Sequence, residues 1–331
     1  MYPAYLPTPR GEAMSRRRLF VWGLPLLVVV AAAAIYLAFR AAEVRLAGVP
    51  IGPVIPDSRG QLVGSPVGLA DGEVFLLMSE RGGSDSPQAL FAVHGGGGDL
   101  VRVPYWDWEM PCPDFYSVES IASRAGNDMF AAAYCHGARQ EVDVLNPART
   151  TVERWGEFDA VERVAVADNG TGALLAKPAG ARCLSILRGS TGKWEEVVSG
   201  AGGSVAAETQ GGCRFEESRP LFLGVLGNEG EGVYAVQGQA LWLSNDRGGL
   251  VKRTLPFEVI RGVATIGGQR LAVSGRFEGR DGLWLYSLDS KVVDLRVPGR
   301  FGELSGVDGG RGLLTGQSVR GGTRIVKIAM Q

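Results

Sequence analysis

The sequence predicts an all-β chain: a six-bladed β-propeller, with seven blades as the alternative, preceded by a single transmembrane helix. Three observations carry this. Leu19 to Phe39, LFVWGLPLLVVVAAAAIYLAF, contains no charge. From residue 40 onward helical periodicity is almost absent, and short β-branched, aromatic and aliphatic runs alternate with Gly, Asp, Asn and Pro turns, 49 of the 331 residues being glycine. Those runs recur in a set order, about four to a unit of ~40–60 residues, which is the pattern of a radial repeat. A pair of β-sandwiches would bury alternating faces equally well but leaves the repeated order unexplained.

The apolar segment comes first. About 21 residues rising ~1.5 Å each give ~32 Å of helix, enough for a hydrocarbon core of ~30 Å. Trp22 and Tyr36 stand near its ends, where aromatic rings favour headgroups. Arg10, Arg16, Arg17 and Arg18 precede it against Glu12 alone, so residues 1–18 are read as a basic cytoplasmic tail. Residues 19–39 are then a signal anchor in the bilayer and residues 40–331 an extracytoplasmic domain at the cell membrane. A cleaved signal peptide, cut near the small residues Ala31 to Ala34, is the competing reading. Met14 is an alternative start to Met1. The first 18 residues carry net +3 and the whole chain −1, leaving −4 on the remainder. A mildly acidic domain has no electrostatic footprint for nucleic acid.

Four cysteines, Cys112, Cys135, Cys183 and Cys213, fit disulfides in an oxidising compartment. Three pairings are open; neighbours in sequence, Cys112 with Cys135 and Cys183 with Cys213, are the simplest. Zinc fits poorly, since no two cysteines have C-x-x-C spacing and His94 and His136 are the only histidines. No metal and no cofactor is expected.

The units follow in order. The first holds Glu73 to Ser79, Gln88 to His94 and Asp99 to Pro104. The second holds Met129 to Cys135, Glu141 to Leu145 and Thr151 to Trp155, and the third Ala173 to Lys177, Arg182 to Arg188 and Trp194 to Val198. The fourth holds Gly232 to Val236, Ala240 to Ser244 and Leu250 to Leu255, and the fifth Gln269 to Ser274, Gly282 to Ser287 and Lys291 to Val297. The sixth has only Gly312 to Gly316 and Thr323 to Ala329. A short apolar run precedes most units: Ser117 to Ala122, Val161 to Ala167, Leu221 to Leu226 and Glu258 to Thr265. The sixth lacks an outer strand, and Ala42 to Ala47 is placed to supply it, joining the two chain ends and removing a free sheet edge. Residues 199–219 exceed the pattern, as an inserted loop or the remnant of a seventh blade.

Leu241 to Leu250 reads LWLSNDRGGL. It resembles the Asp-box of sialidase-like propellers, S-x-D-x-G-x-T-W: Ser244, Asp246 and Gly248 match, while Leu250 and Val251 stand where Thr and Trp belong. An Asp side chain can accept backbone N–H bonds in its own turn and Gly permits positive φ. In such families the box sits away from the active site, so the resemblance, confined to one hairpin, implies fold and not activity.

Ala92 to Asp99, AVHGGGGD, resembles the oxyanion stretch of α/β-hydrolases. The nucleophile elbow that motif requires is incomplete, because Gly316-Gln317-Ser318-Val319 is followed by Arg320 where Gly is needed. The stretch is read as a hairpin turn. The densest unusual segment is Tyr105 to Tyr116, YWDWEMPCPDFY. Tyr105, Trp106, Asp107, Trp108, Phe115 and Tyr116 form a candidate binding patch, since exposed aromatics anchor a protein partner or a sugar ring. Packing of the same rings between neighbouring blades is the competing reading. No catalytic residue is assigned by motif. The sequence therefore points to a membrane-anchored, extracytoplasmic module for a protein or carbohydrate ligand. A hydrolase of sialidase or lactonase type, with arginines and carboxylates converging at the ring centre, is the alternative.

Overall fold

A computed structural model describes residues 29–33, 48–68, 72–79, 88–94, 99–103, 116–124, 128–135, 140–145, 151–167, 169–190, 193–200, 212–216, 219–226, 232–245, 250–267, 269–307 and 311–330. The chain divides into two compact units, Met1–Leu46 and Ala47–Gln331. In the first, residues 29–33 are helical and exposed. Among the described residues no helix is long and apolar enough to cross a membrane; of the expected span from Leu19 to Phe39, all but residues 29–33 lies outside the described residues.

The second unit is a β-propeller. It opens with β1 (Val49–Pro56), followed by a 3-10 turn at Asp57–Arg59. The first complete sheet comprises β2 (Gln61–Gly68), β3 (Glu73–Ser79), β4 (Gln88–His94) and β5 (Val101–Arg102), and the second β6 (Tyr116–Arg124), β7 (Asp128–Cys135), β8 (Gln140–Leu145) and β9 (Thr151–Phe158). The third comprises β10 (Ala160–Val166), β11 (Gly172–Lys177), β12 (Ser185–Ser190) and β13 (Lys193–Val198). The fourth comprises β14 (Leu221–Leu226), β15 (Gly232–Gln237), β16 (Ala240–Asn245) and β17 (Leu250–Thr254). The fifth comprises β18 (Val259–Ile266), β19 (Arg270–Phe277), β20 (Arg280–Ser287) and β21 (Val293–Pro298). The sixth joins β22 (Phe301–Val307), β23 (Gly312–Val319) and β24 (Gly322–Ala329) to β1 as its outermost strand. First strands of consecutive sheets touch one another all the way round, β22 meeting both β18 and β2, so they form the inner wall of a closed ring.

The ring closes through the N-terminal strand, but by a different segment from the one expected. Val49 to Pro56 pairs antiparallel with β24, from Val49 opposite Lys327 to Pro56 opposite Gly322. Ala42 to Ala47 lies outside the described residues. The closing strand contains Pro50, Pro53 and Pro56, tolerable because one of its edges has no strand to hydrogen-bond.

Packing explains the sequence pattern of the middle strands. Val233 and Ala235 of β15 pack toward the third sheet, while Tyr234 and Val236 pack toward the fifth. On β11, Ala173 and Leu175 face the fourth sheet and Leu174 and Ala176 the second. With both faces covered, such strands read as continuous apolar runs, EVFLLMS being buried at every position. Outer strands are half solvated; β13 buries only Val198 fully.

Hydroxyl groups stitch neighbouring sheets near the axis. Ser65 donates to the Leu304 carbonyl at 3.0 Å, Thr265 to Val225 at 3.2 Å and Tyr234 to Val263 at 3.2 Å. Ser274 reaches the Gly302 carbonyl at 2.5 Å, and the Ser120 hydroxyl accepts from the Val164 amide at 3.1 Å. Crowding at the wall demands glycine at two positions. A Cβ on Gly262 would lie 2.6 Å from Glu303 Cα and 2.7 Å from the Gly302 carbonyl oxygen, and one on Gly224 would enter the Tyr234 ring.

Residues 199–219 add no further four-stranded sheet among the described residues. Cys183 and Cys213 are bridged, with Cα atoms 5.5 Å apart, and Phe215 inserts into the core between the third and fourth sheets. The Gln237 amide group donates to the Glu216 carbonyl at 2.7 Å and accepts from the Glu216 N–H at 3.0 Å.

Candidate functional site

All strands of the inner wall run in the same direction, because each sheet is antiparallel and has four strands, and each outer strand leads directly to the next inner one. Asp159 alone separates β9 from β10, and two residues separate β21 from β22. Five of the six inner strands carry a β-bulge: between Val63 and Val67, Val118 and Ser120, Val161 and Arg163, Ile260 and Gly262, and Phe301 and Leu304. Parallel strands place these bulges around one end of the ring. A bulge re-aims side chains relative to the regular alternation of a strand.

At that end lies an open hollow of about 410 Å³ on the axis, lined by residues from all six inner strands. Its polar groups are Ser65, Ser120, Arg163 and Glu303; Ile121, Phe222, Val263 and Leu304 supply apolar wall. Arg163 and Glu303 belong to β10 and β22, the inner strands of opposite sheets, yet Arg163 Nη2 donates to Glu303 Oε1 at 3.0 Å. The pair spans the axis. Arg163 Nε donates to the Leu221 carbonyl at 2.9 Å, fixing the guanidinium plane, and Ser65 Oγ lies 3.3 Å from Glu303 Oε2. Both charged side chains keep about a fifth of their surface, 21% and 19%, so solvent reaches them.

A second charged group stands at the same end of the fifth sheet. Arg261, carried by the β18 bulge, donates through Nη2 to Asp281 Oδ1 at 2.7 Å, and Arg276 Nη2 lies 3.3 Å from Asp281 Oδ2. Hydrogen bonds from Arg261 and then Arg276 hold the Asp281 carboxyl below its ordinary range, outweighing the opposing effect of partial burial. The same bond raises the Arg276 pKa. Arg261 Nη1 is buried with no hydrogen-bond partner. Nearby in the wall, full burial pushes the Tyr234 hydroxyl far above the normal tyrosine range, so it acts only as the neutral donor to Val263.

The positions singled out from sequence distribute as follows. Tyr105, Trp106, Asp107, Trp108, Phe115 and Cys112 lie outside the described residues. Tyr116 opens β6 and is registered with Cys135, the last residue of β7. The segment containing the aromatic patch joins the end of β5 to the start of β6, and both of those strand ends belong to the end of the ring that holds the hollow. Ser244 is buried on β16 and pairs with Leu250 of β17; Asp246 and Gly248 lie outside the described residues. That hairpin leaves and re-enters its sheet at the opposite end of the ring, as does the one following His94. Of the cysteine pairings, Cys183 with Cys213 is present. Arg163, Glu303 and Ser65 were not anticipated. The available signal was a recurring apolar-charged step at the start of the inner strands: Val118-Glu119-Ser120, Val161-Glu162-Arg163 and Ile260-Arg261-Gly262. Among the described residues, no three His, Cys, Asp or Glu side chains gather as a metal site.

No family model matches this sequence, and no curated protein matches it. Solved structures do. TolB from Acinetobacter baumannii superposes with a TM-score of 0.52 at 10% identity, over 84% of this chain and 63% of that one. The chain thus spans about 63% of the length of that relative. A structural genomics protein of unknown function from Bacteroides thetaiotaomicron gives 0.53 at 9% identity, over 86% and 73%. A gluconolactonase from Xanthomonas campestris gives 0.49 at 14% identity, over 85% and 99%. At these identities the first two likenesses show the fold alone.

Proposed function

We propose that this chain is a membrane-anchored, extracytoplasmic six-bladed propeller that binds a protein or carbohydrate ligand at the end of the ring where the inner strands begin. One observation supports binding over hydrolysis. The arginine and the carboxylate in the axial hollow are ion-paired with each other at 3.0 Å, and the other described residues lining it are glycine, serine and apolar side chains. A glycosidase needs two carboxyl groups flanking the scissile bond, one to donate a proton and one to attack or activate water. Among the described residues the hollow offers one. The described strand ends that flank Tyr105 to Tyr116, the end of β5 and the start of β6, belong to this same end, which supports assigning those aromatics to the same ligand. The Ser244 to Gly248 turn is read as an Asp-box, at the end away from the ligand.

Gentle detergent extraction from native membrane, affinity purification and mass spectrometry test the reading. A stoichiometric partner lost in the Trp106→Ala, Trp108→Ala double variant is the expected result. Turnover of a glycoside or lactone by the purified protein, abolished by Glu303→Ala, would establish a hydrolase instead. A reporter fused after Gln331 should be active only outside the cytoplasm; activity inside would overturn the topology.

A further inference from the structure

The axial hollow contains an unused donor beside an acceptor with spare capacity. Arg163 uses Nε on the Leu221 carbonyl and Nη2 on Glu303, and among the described residues Nη1 makes no hydrogen bond. Glu303 Oε2 receives only the 3.3 Å contact from Ser65, whose hydroxyl also has the Leu304 carbonyl at 3.0 Å. A carboxylate oxygen has room for more than one such bond. Both atoms border one space: a Cβ built on Gly64 would be 3.6 Å from Arg163 Nη1 and 3.9 Å from Glu303 Oε2, and apart from its chain neighbours no other described residue comes within 4 Å. Gly64 sits in the β2 bulge at φ +77°, so the backbone is turned to leave this space open. On the adjoining strand β6, Ser120 accepts from the Val164 amide and keeps its proton to donate, and Ile121, Phe222 and Val263 present apolar surface to the hollow.

We propose that this hollow binds a neutral sugar through adjacent hydroxyl groups, one accepting from Arg163 Nη1 and one donating to Glu303 Oε2. The inference rests on the binding-module reading and specifies its ligand chemistry. A hydroxyl is the group that both donates and accepts, so a vicinal diol matches a donor and an acceptor set side by side. A carboxylate ligand matches poorly, because Glu303 would face it with like charge; an ammonium ligand meets Arg163 in the same way. The C–H face of a sugar ring suits the apolar wall of Ile121, Phe222 and Val263.

The test uses the full chain in detergent micelles, with saturation-transfer NMR and calorimetry against methyl glucoside, galactoside and mannoside and, as the anionic comparator, methyl glucuronide, each to about 10 mM. At least one neutral glycoside should bind. Glu303→Gln, which substitutes a neutral amide for the charged acceptor, should weaken it about tenfold or more, and Arg163→Lys should do the same. Gly64→Ala should weaken it through occupied space. Thermal melts identify any variant that fails to fold, and the remaining variants carry the result. Binding of the glucuronide alone, or no binding across the panel, overturns the proposal. So does neutral-glycoside binding that survives all three substitutions. If that surviving binding disappears with Trp106→Ala and Trp108→Ala, the partner-binding reading stands and the hollow is not the site.

Discussion

At the scale of single residues, the inner wall is governed by how closely backbones approach. Gly262 meets the backbone of β22, which cannot rotate aside as a side chain can. Gly262→Ala should therefore cost about 2 kcal/mol or more in a urea melt. Gly279 has φ +73° but nothing within 4 Å of a would-be Cβ, so Gly279→Ala should cost only the left-handed strain, about 1–2 kcal/mol. Equal losses would show that φ, and not crowding, sets the requirement at the wall. Asp281 gives a pH prediction. Its folded carboxyl titrates below the unfolded value of about 3.9, so its contribution is complete above that pH and disappears as pH falls through the folded value. Against Asp281→Asn, the stability advantage of the natural protein should be widest above about pH 4 and shrink below it; a gap constant with pH would remove the carboxylate from the account. Arg163 and Glu303 were illegible because a lone charge on a strand reads as a solvated face. Only the ring brings residues 140 apart in sequence to within 3.0 Å.

At the scale of elements, legibility followed burial. Glu73–Ser79, Gln88–His94 and Leu221–Leu226 form strands with the boundaries expected from sequence, since strands covered on both faces are continuous apolar runs. The inner strands β2, QLVGSPVG, and β22, FGELSGV, were missed for the opposite reason. Near the axis there is little room for large side chains, so glycine, serine and proline replace the apolar signal. The aromatic patch stands out in the sequence, and Tyr105, Trp106, Asp107, Trp108 and Phe115 lie outside the described residues. The Cys183–Cys213 bridge belongs to one of the three pairings the sequence left open, the one that joins sequence neighbours; its role was not legible. It anchors the stretch that sends Phe215 into the core. Removing both sulfurs with Cys183→Ser, Cys213→Ser should lower stability by about 3–4 kcal/mol for a closed loop of roughly 30 residues. Calorimetry showing no shift in Tm would mean the loop is held by Gln237 and Phe215 without it.

At the scale of the whole molecule, the sheet that contains both β1 and β24 decides whether there is a ring at all. A chain beginning at Ala47 retains every strand of the described residues and should melt cooperatively. One beginning at Asp57 leaves β24 as an open edge beside Ile325, Val326 and Ile328, which are buried in the intact ring, and should self-associate in light scattering. A monomeric, fully folded product from the shorter chain would show that the closing strand is dispensable. The same pairing sets a schedule. Pro56 is made about 270 residues before Gly322, its partner, so at roughly 5–20 residues per second the closing strand waits on the order of tens of seconds with neither edge satisfied. Throughout that interval it is the segment most free to pair with a neighbouring chain. Three prolines in eight residues make it a poor template for such encounters, because each withdraws one amide proton from any strand that tries to register against it. The composition that makes β1 look least like a strand is what keeps it available until its own partner emerges.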